Sequence, residues 1–328
     1  MPQTPTRRTL LGAASLLACL AAAPSHAQPA PYPSRPIKVI FGFAAGGGTD
    51  AVVRAISAKL SDTLGVPVIV DNRPGANANI AGEAVAKAPA DGYTLLYNTS
   101  SIAISPALYA HLGYDVMKDL VPVALTASIP LVLVASPDAP FSNMKEFTAY
   151  LRAHPGQLSF GSSGAGNITH LAAAQILNAT GTQAVHVPYK SEAPALTDLL
   201  GGHIQFYAGN ANAIIPHLKE KKLKGLAVTS LKRIDSIPGV PTLSETVKPG
   251  MELGAWSGFM APAHTPPEIV AKLAAALDKS LQDPDLRAKI AATDAEIRWM
   301  PPAQYGVFLG EEIRRWGATV KAAGLKPE

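Results

Sequence analysis

The chain has 328 residues, 48% of them hydrophobic, and 28 Lys+Arg stand against 24 Asp+Glu for a formal net charge of +4. A balance this close to neutral leaves no electrostatic footprint for nucleic acid, and the length exceeds what one compact core serves, so two domains are expected. The single cysteine, Cys19, sits near the N-terminus, which excludes an internal disulfide and a cysteine-held metal site.

Arg7 and Arg8 precede an apolar run from Leu10 to Ala23, and Ser25-His-Ala27 forms a small-residue cleavage site. That order reads as a secretory signal peptide over residues 1–27, with the exported chain starting at Gln28. Thr6-Arg-Arg-Thr-Leu-Leu-Gly12 resembles a twin-arginine signal except at Gly12, so that route and the general secretory route both stay open. Leu17 and Leu20 are poor neighbours for lipidation of Cys19, and no lipid anchor is expected. Loss of residues 1–27 removes two arginines and no acid, leaving +2. No later apolar run reaches membrane length.

Five prolines between Pro24 and Pro36 predict an extended entry. Ile37–Phe43 then predicts a buried strand, Ala51–Leu64 a helix, Val66–Val70 a strand, Ile80–Ala88 a helix and Tyr93–Tyr97 a strand. This alternation implies a parallel sheet covered on both faces. Leu131–Val134 predicts a strand leaving the first domain. A second set follows: helix Met144–Ala153, strand Leu158–Phe160, helix Ile168–Asn178, strand Val185–Val187, helix Ala195–Leu200, strand Ile204–Tyr207, helix Ile214–Lys222 and strand Leu226–Val228. Trp256–Met260 returns to the first domain. Ile269, Leu273, Leu277 and Leu281 mark one C-terminal helix face, and Tyr305, Leu309, Ile313, Trp316 and Val320 another, read as a clamp on the first domain. Domain 1 is therefore expected over 28–130 and 256–328, and domain 2 over 131–255, with a ligand cleft between them.

Two glycine-rich loops each join a strand to a helix: Phe43-Ala-Ala-Gly-Gly-Gly-Thr-Asp50 and Gly161-Ser-Ser-Gly-Ala-Gly-Asn167. Bare backbone N–H groups at a helix N-terminus make a ready anion site. Thr49 or Asp50 is read as a helix cap, and Asp50 also as a water-bridged ligand contact. Ser162, Ser163 and Asn167 add hydroxyl and amide donors. Tyr189 and Asn210 follow strands of the second domain, where a parallel sheet presents its ligand-binding edge. Other chemistries fit less well. Gly46-Gly-Gly-Thr-Asp-Ala51 matches a dinucleotide fingerprint with Asp71 as its ribose acid, so an exported Rossmann-type oxidoreductase is the enzyme alternative. Gly161-Ser-Ser-Gly-Ala165 falls one residue short of a serine-hydrolase elbow, and His170 is read as a structural histidine. Eight scattered histidines show no metal spacing, and no Gly-Lys-[Ser/Thr] follows the glycines; no cofactor, metal or catalytic residue is expected.

Several motifs together resemble the tripartite tricarboxylate transporter receptors, the periplasmic solute-binding proteins of the Bordetella uptake gene family. They are Pro36-Ile-Lys-Val-Ile40, Val70-Asp-Asn-Arg-Pro-Gly75, Asp91-Gly-Tyr-Thr-Leu-Leu96, Phe160-Gly-Ser-Ser-Gly164 and His186-Val-Pro-Tyr-Lys190, with Ala195-Leu-Thr-Asp-Leu-Leu-Gly-Gly202, Leu226-Ala-Val-Thr-Ser230, Pro238-Gly-Val-Pro-Thr242 and Arg315-Trp-Gly317 further on. The resemblance implies an α/β type II periplasmic-binding-protein fold and a monomer that closes on a di-, tri- or aromatic carboxylate. It implies delivery to the small and large membrane subunits of an ion-driven transporter; a ligand-presenting sensor is the remaining alternative. Carried over, the ligand-binding residues are Phe43, Gly47, Gly48, Thr49, Asp50, Ser162, Ser163, Gly166, Asn167, Tyr189 and Asn210. Two departures stand out. Asn77-Ala-Asn79 replaces the usual Gly-Gly-Asn, and Ala208-Gly-Asn210 replaces the common Phe-Asp-Asn. The loss of an aspartate at Gly209 is expected to remove bulk and negative charge from the cleft and to admit a larger or more anionic ligand.

Overall fold

The computed structural model describes residues 31–325; the expected export signal, Cys19 and Gln28 lie outside them. In chain order the elements are β1 (Ile37–Phe41), α1 (Gly48–Leu64), β2 (Val68–Asn72), α2 (Asn79–Ala86), β3 (Thr94–Thr99), α3 (Ser101–Leu108), β4 (Leu120–Ala135), α4 (Met144–Ala153), β5 (Ser159–Ser162) and α5 (Ile168–Thr180). They continue with β6 (Val185–Pro188), α6 (Glu192–Leu200), β7 (Phe206–Asn210), α7 (Ala211–Lys219), β8 (Lys224–Val228), α8 (Leu243–Thr246), β9 (Gly254–Pro262), α9 (Pro267–Leu281), α10 (Pro284–Ala291), β10 (Glu296–Met300) and α11 (Pro302–Ala322).

The strands order as β2-β1-β3-β9-β4-β7-β5-β6, with β8 and β10 also paired to β4. β1, β2 and β3 run parallel, as do β5, β6 and β7. β4 joins the two sets. Its residues Leu120–Pro130 pair with β9, and Leu131–Ala135 pair with β7 and β8. The switch of partner falls where Pro130 opposes Gly254. From Arg35 onward the chain is one compact unit that contains both sheet halves.

Alternation along β4 shows why both faces are covered. Leu131, Leu133 and Ala135 enter one core with Phe147, Phe160 and Phe206. Val132 and Val134 enter the opposite core with Leu199, Tyr207 and Ile214. The first half has its own core, in which Ile40, Leu96 and Trp256 meet Tyr305, Leu309, Trp316 and Val320 of α11. The C-terminal helix is thus packed where its apolar stripe required. Glu312 fastens it, since its Oε2 accepts from the indoles of Trp256 (2.7 Å) and Trp316 (2.9 Å) and from Arg315 (2.8 Å).

Several elements differ from expectation. β4 extends eleven residues upstream of Leu131, through Pro122 and Pro130, because a bulge after Pro122 accommodates the ring and its missing N–H. α3 and β10 were not anticipated. α6 begins at Glu192 rather than Ala195, and β7 at Phe206 rather than Ile204. The shift of α6 matters for the site.

Candidate functional site

Every parallel strand ends at the same edge of its sheet, so the helices that follow start there. Five of them, α1, α3, α5, α6 and α7, contribute residues of their first turns to one cavity of about 560 Å³. The contributing junctions are Gly47–Asp50, Thr99–Ser101, Asn167–Ile168, Ser191–Glu192 and Asn210–Ala213. Each helix N-terminus carries roughly half a positive charge and unpaired N–H groups. Phe41, Phe43, Ile104, Ile129 and Ile168 supply an apolar wall, and Ile129 and Ala255 place the cavity against the strands that cross between the halves. Among the described residues no lysine, arginine or histidine lines it; the acids Asp50 and Glu192 do.

The first loop is held from beneath by one charged network. Asp50 is buried, and its Oδ2 accepts from Gly46 N–H (3.0 Å) and Arg54 Nε (2.9 Å), while Oδ1 accepts from Asn72 Nδ2 (2.9 Å). Asn72 also donates to the Phe43 carbonyl at 2.9 Å. Burial opposes the Asp50 charge, yet the bonds from Arg54, Gly46 and Asn72 outweigh it and hold the carboxyl below its ordinary value. The helix cap is Gly47, with no side-chain bond, so neither Thr49 nor Asp50 caps α1 as expected. Asp50 instead fixes the loop's shape. Gly48 serves close approach: a Cβ there would fall 2.0 Å from Asn212 Nδ2, which reaches over from α7 in the other sheet half.

The departure at Asn77-Ala-Asn79 has a conformational consequence. Ala76, Asn77 and Ala78 have φ of 45°, 52° and 73°. Glycine would adopt these angles freely, whereas alanine pays about 1–3 kcal/mol. Gly42 makes room for it, since a Cβ at 42 would lie 2.2 Å from Ala78 Cβ. Asn77 reaches the cavity lining.

In the second half, Asn167 caps α5 through Oδ1 to Thr169 N–H (3.1 Å). Ser163 and Asn167 line the cavity; Ser162, Gly166 and Tyr189 do not. Ser162 is fully buried, bonded to the Gly164 carbonyl (2.9 Å) and paired with His186 Nε2 (2.6 Å). Gly166 faces Leu108. The Tyr189 hydroxyl turns to Asp198 Oδ2 at 2.7 Å. His170 and His186 stack face to face at 3.7 Å under the loop, and His170 Nδ1 accepts the Gly166 N–H. Burial pushes both imidazoles down to about 4, helped for His170 by its neighbour. They are neutral supports of the loop.

The expectation for Gly209 does not hold. The space beside it is filled by the Tyr207 ring, 2.3 Å from where a Cβ would stand, and by Glu192 Oε1, 2.8 Å from it. Neither bulk nor negative charge is missing, because both come from other positions. Glu192 was not among the expected site residues, and neither were Thr99, Ser100, Ser101 and Asn212. The polar run Thr99-Ser-Ser101 directly after a buried strand is the signal that would have found three of them. The dinucleotide reading finds no support in the geometry: Asp71 lies outside the cavity, paired with Arg73 (3.0 Å) and Lys38 (3.9 Å).

What the cavity can do is grip an anion by backbone and side-chain dipoles and cover its carbon skeleton with apolar side chains. Comparison with known proteins agrees. The family model described as "Tripartite tricarboxylate transporter family receptor" matches residues 52–325. Protein BugT of Bordetella pertussis is 36% identical over 297 residues, 90% of this chain and 91% of that one. A Rhodopseudomonas palustris protein, Rpa4515, solved with adipate, is 34% identical with a TM-score of 0.78, over 90% of this chain and 100% of that one. MatC of the same organism, solved with bound malate, is 32% identical with a TM-score of 0.74, over 88% and 100%.

Proposed function

The chain belongs to the tripartite tricarboxylate transporter receptor family, and from that premise we propose that it captures an organic carboxylate in the periplasm and hands it to the two membrane subunits of a transporter. The observation that carries this reading is the convergence of five helix N-termini on one cavity that, among the described residues, no basic side chain lines. Such a site binds a carboxylate by dipoles and N–H groups set in place before the ligand arrives, which lowers the ordering cost of binding. The adipate and malate held by two relatives support the ligand class.

The two sheet halves act in this reading as the two domains expected from the sequence, 28–130 with 256–328 and 131–255. Closure turns about the paired crossing at Pro130 and Gly254 and buries the ligand. The nearby approach of Asn212 to Gly48 is the latch across the cleft.

A thermal-shift screen against mono-, di-, tri- and aromatic carboxylates, with NAD as a control, tests the proposal. A true ligand at about 1,000 times its dissociation constant adds about 4 kcal/mol and raises the melting temperature by several degrees. A shift confined to NAD, with silence from every acid, overturns it.

A further inference from the structure

One end of the cavity already contains a carboxylate of the protein's own. Glu192, the first residue of α6, accepts the Asn210 backbone N–H at Oε1 (2.9 Å) and the Asn210 side-chain amide at Oε2 (2.9 Å). Tyr207 donates its hydroxyl proton to Oε1 at 3.3 Å. The Ser163 hydroxyl stands 2.8 Å from the Tyr207 oxygen. With the Tyr207 proton committed to Glu192, Ser163 is the donor of that pair. Gly209 permits the arrangement, because a side chain there would displace both the tyrosine and the glutamate.

This wiring leaves acceptors rather than donors. Oε2 of Glu192 makes one bond and has capacity for another. The nitrogen of the Asn210 amide is turned to Glu192, which leaves Oδ1 for a ligand. Ser163 Oγ has its proton directed away. All three residues line the cavity. Asp50, the other lining acid, is paired with Arg54, whereas the partners of Glu192 are an amide, a backbone N–H and a phenol, all uncharged. Burial accordingly pushes its carboxyl above the ordinary value, against the bonds from Asn210 and Tyr207. A ligand carboxylate placed here would meet like charge, and an ammonium would meet its countercharge and three acceptors.

We propose that Glu192 is a specificity residue that reads a protonated amine, so that the receptor takes an amino-bearing carboxylate. The carboxylate lies at the α1 and α3 starts, and the ammonium lies against Glu192, Asn210 and Ser163. This rests on the carboxylate reading above and adds the other end of the ligand.

Isothermal titration of the protein with matched pairs tests it: succinate against aspartate, adipate against 2-aminoadipate, and 3-phenylpropanoate against phenylalanine. In at least one pair the amino member binds tenfold or more tightly than its partner. Glu192→Gln, nearly isosteric, weakens that amino member at least tenfold and leaves the amino-free acid within threefold. Ser163→Ala is the second variant, should the first not fold, and weakens the amino member selectively. Amino-free acids that bind as well or better in every pair overturn the proposal, as does a preference that both variants preserve. Failure of all six acids to bind overturns this inference, while the carboxylate reading stands or falls on the wider screen above.

Discussion

At the scale of single residues, the two loops of the site are shaped by side chains whose polar atoms are bonded within the protein. Asp50, Arg54 and Asn72 shape the first loop, and the His170–His186 stack shapes the second. The histidines make a pH prediction. Their folded values near 4 lie below the ordinary 6.5, so between those limits the unfolded chain binds more protons and stability falls as pH falls. The loss from pH 7 to pH 5 is on the order of 3 kcal/mol for the pair, after a discount for the partial exposure of His186. Asp50 acts lower: its depressed carboxyl contributes stability above about pH 4, lost as pH drops through the folded value. Urea unfolding across about pH 2–8 checks both. A flat profile from pH 7 to 5 would contradict a neutral buried pair, and His186→Gln should lessen the slope.

At the scale of elements, the cavity is a product of repeated strand–helix units. Each unit brings a helix N-terminus to the same sheet edge, and the loop length sets how far the first turn reaches. The close approach of α1 and α7 is the tightest of these fits, since Gly48 leaves no room for a methyl group beside Asn212. Gly48→Ala is expected to weaken carboxylate binding about tenfold, or about 1.4 kcal/mol. It should leave unfolding within about 0.5 kcal/mol, because only the flexible end of Asn212 is displaced. Adding Asn212→Ala to that variant should recover part of the loss if the two residues are coupled, as a double-mutant cycle would show. Wild-type affinity in Gly48→Ala would remove this approach from the binding process.

At the scale of the whole molecule, β4 runs through both halves and β9 joins it in the first, while α11 locks onto the first core through Glu312 and its two tryptophans. A rotation of one half against the other must therefore be absorbed near Pro130 and Gly254. Small-angle scattering should show a smaller radius of gyration on saturation with a carboxylate ligand. An unchanged radius would mean that binding proceeds without closure.

The sequence by itself determined the strand–helix alternation, the two glycine loops and the stripe of α11, because local periodicity and backbone freedom are properties of neighbouring residues. It also carried the family. It did not reveal the full length of β4, since Pro122 and Pro130 read as breakers until a bulge and a partner strand are in place. Nor did it distinguish Tyr189 from Glu192. Both follow β6, yet the tyrosine is drawn away by Asp198 while the glutamate is drawn in by Asn210 and by the gap at Gly209. Those outcomes depend on groups 9 to 18 residues distant that only folding brings together. A linear pattern places a side chain on an edge; which partner satisfies its polar atoms, and so which way it points, was decided by the tertiary structure.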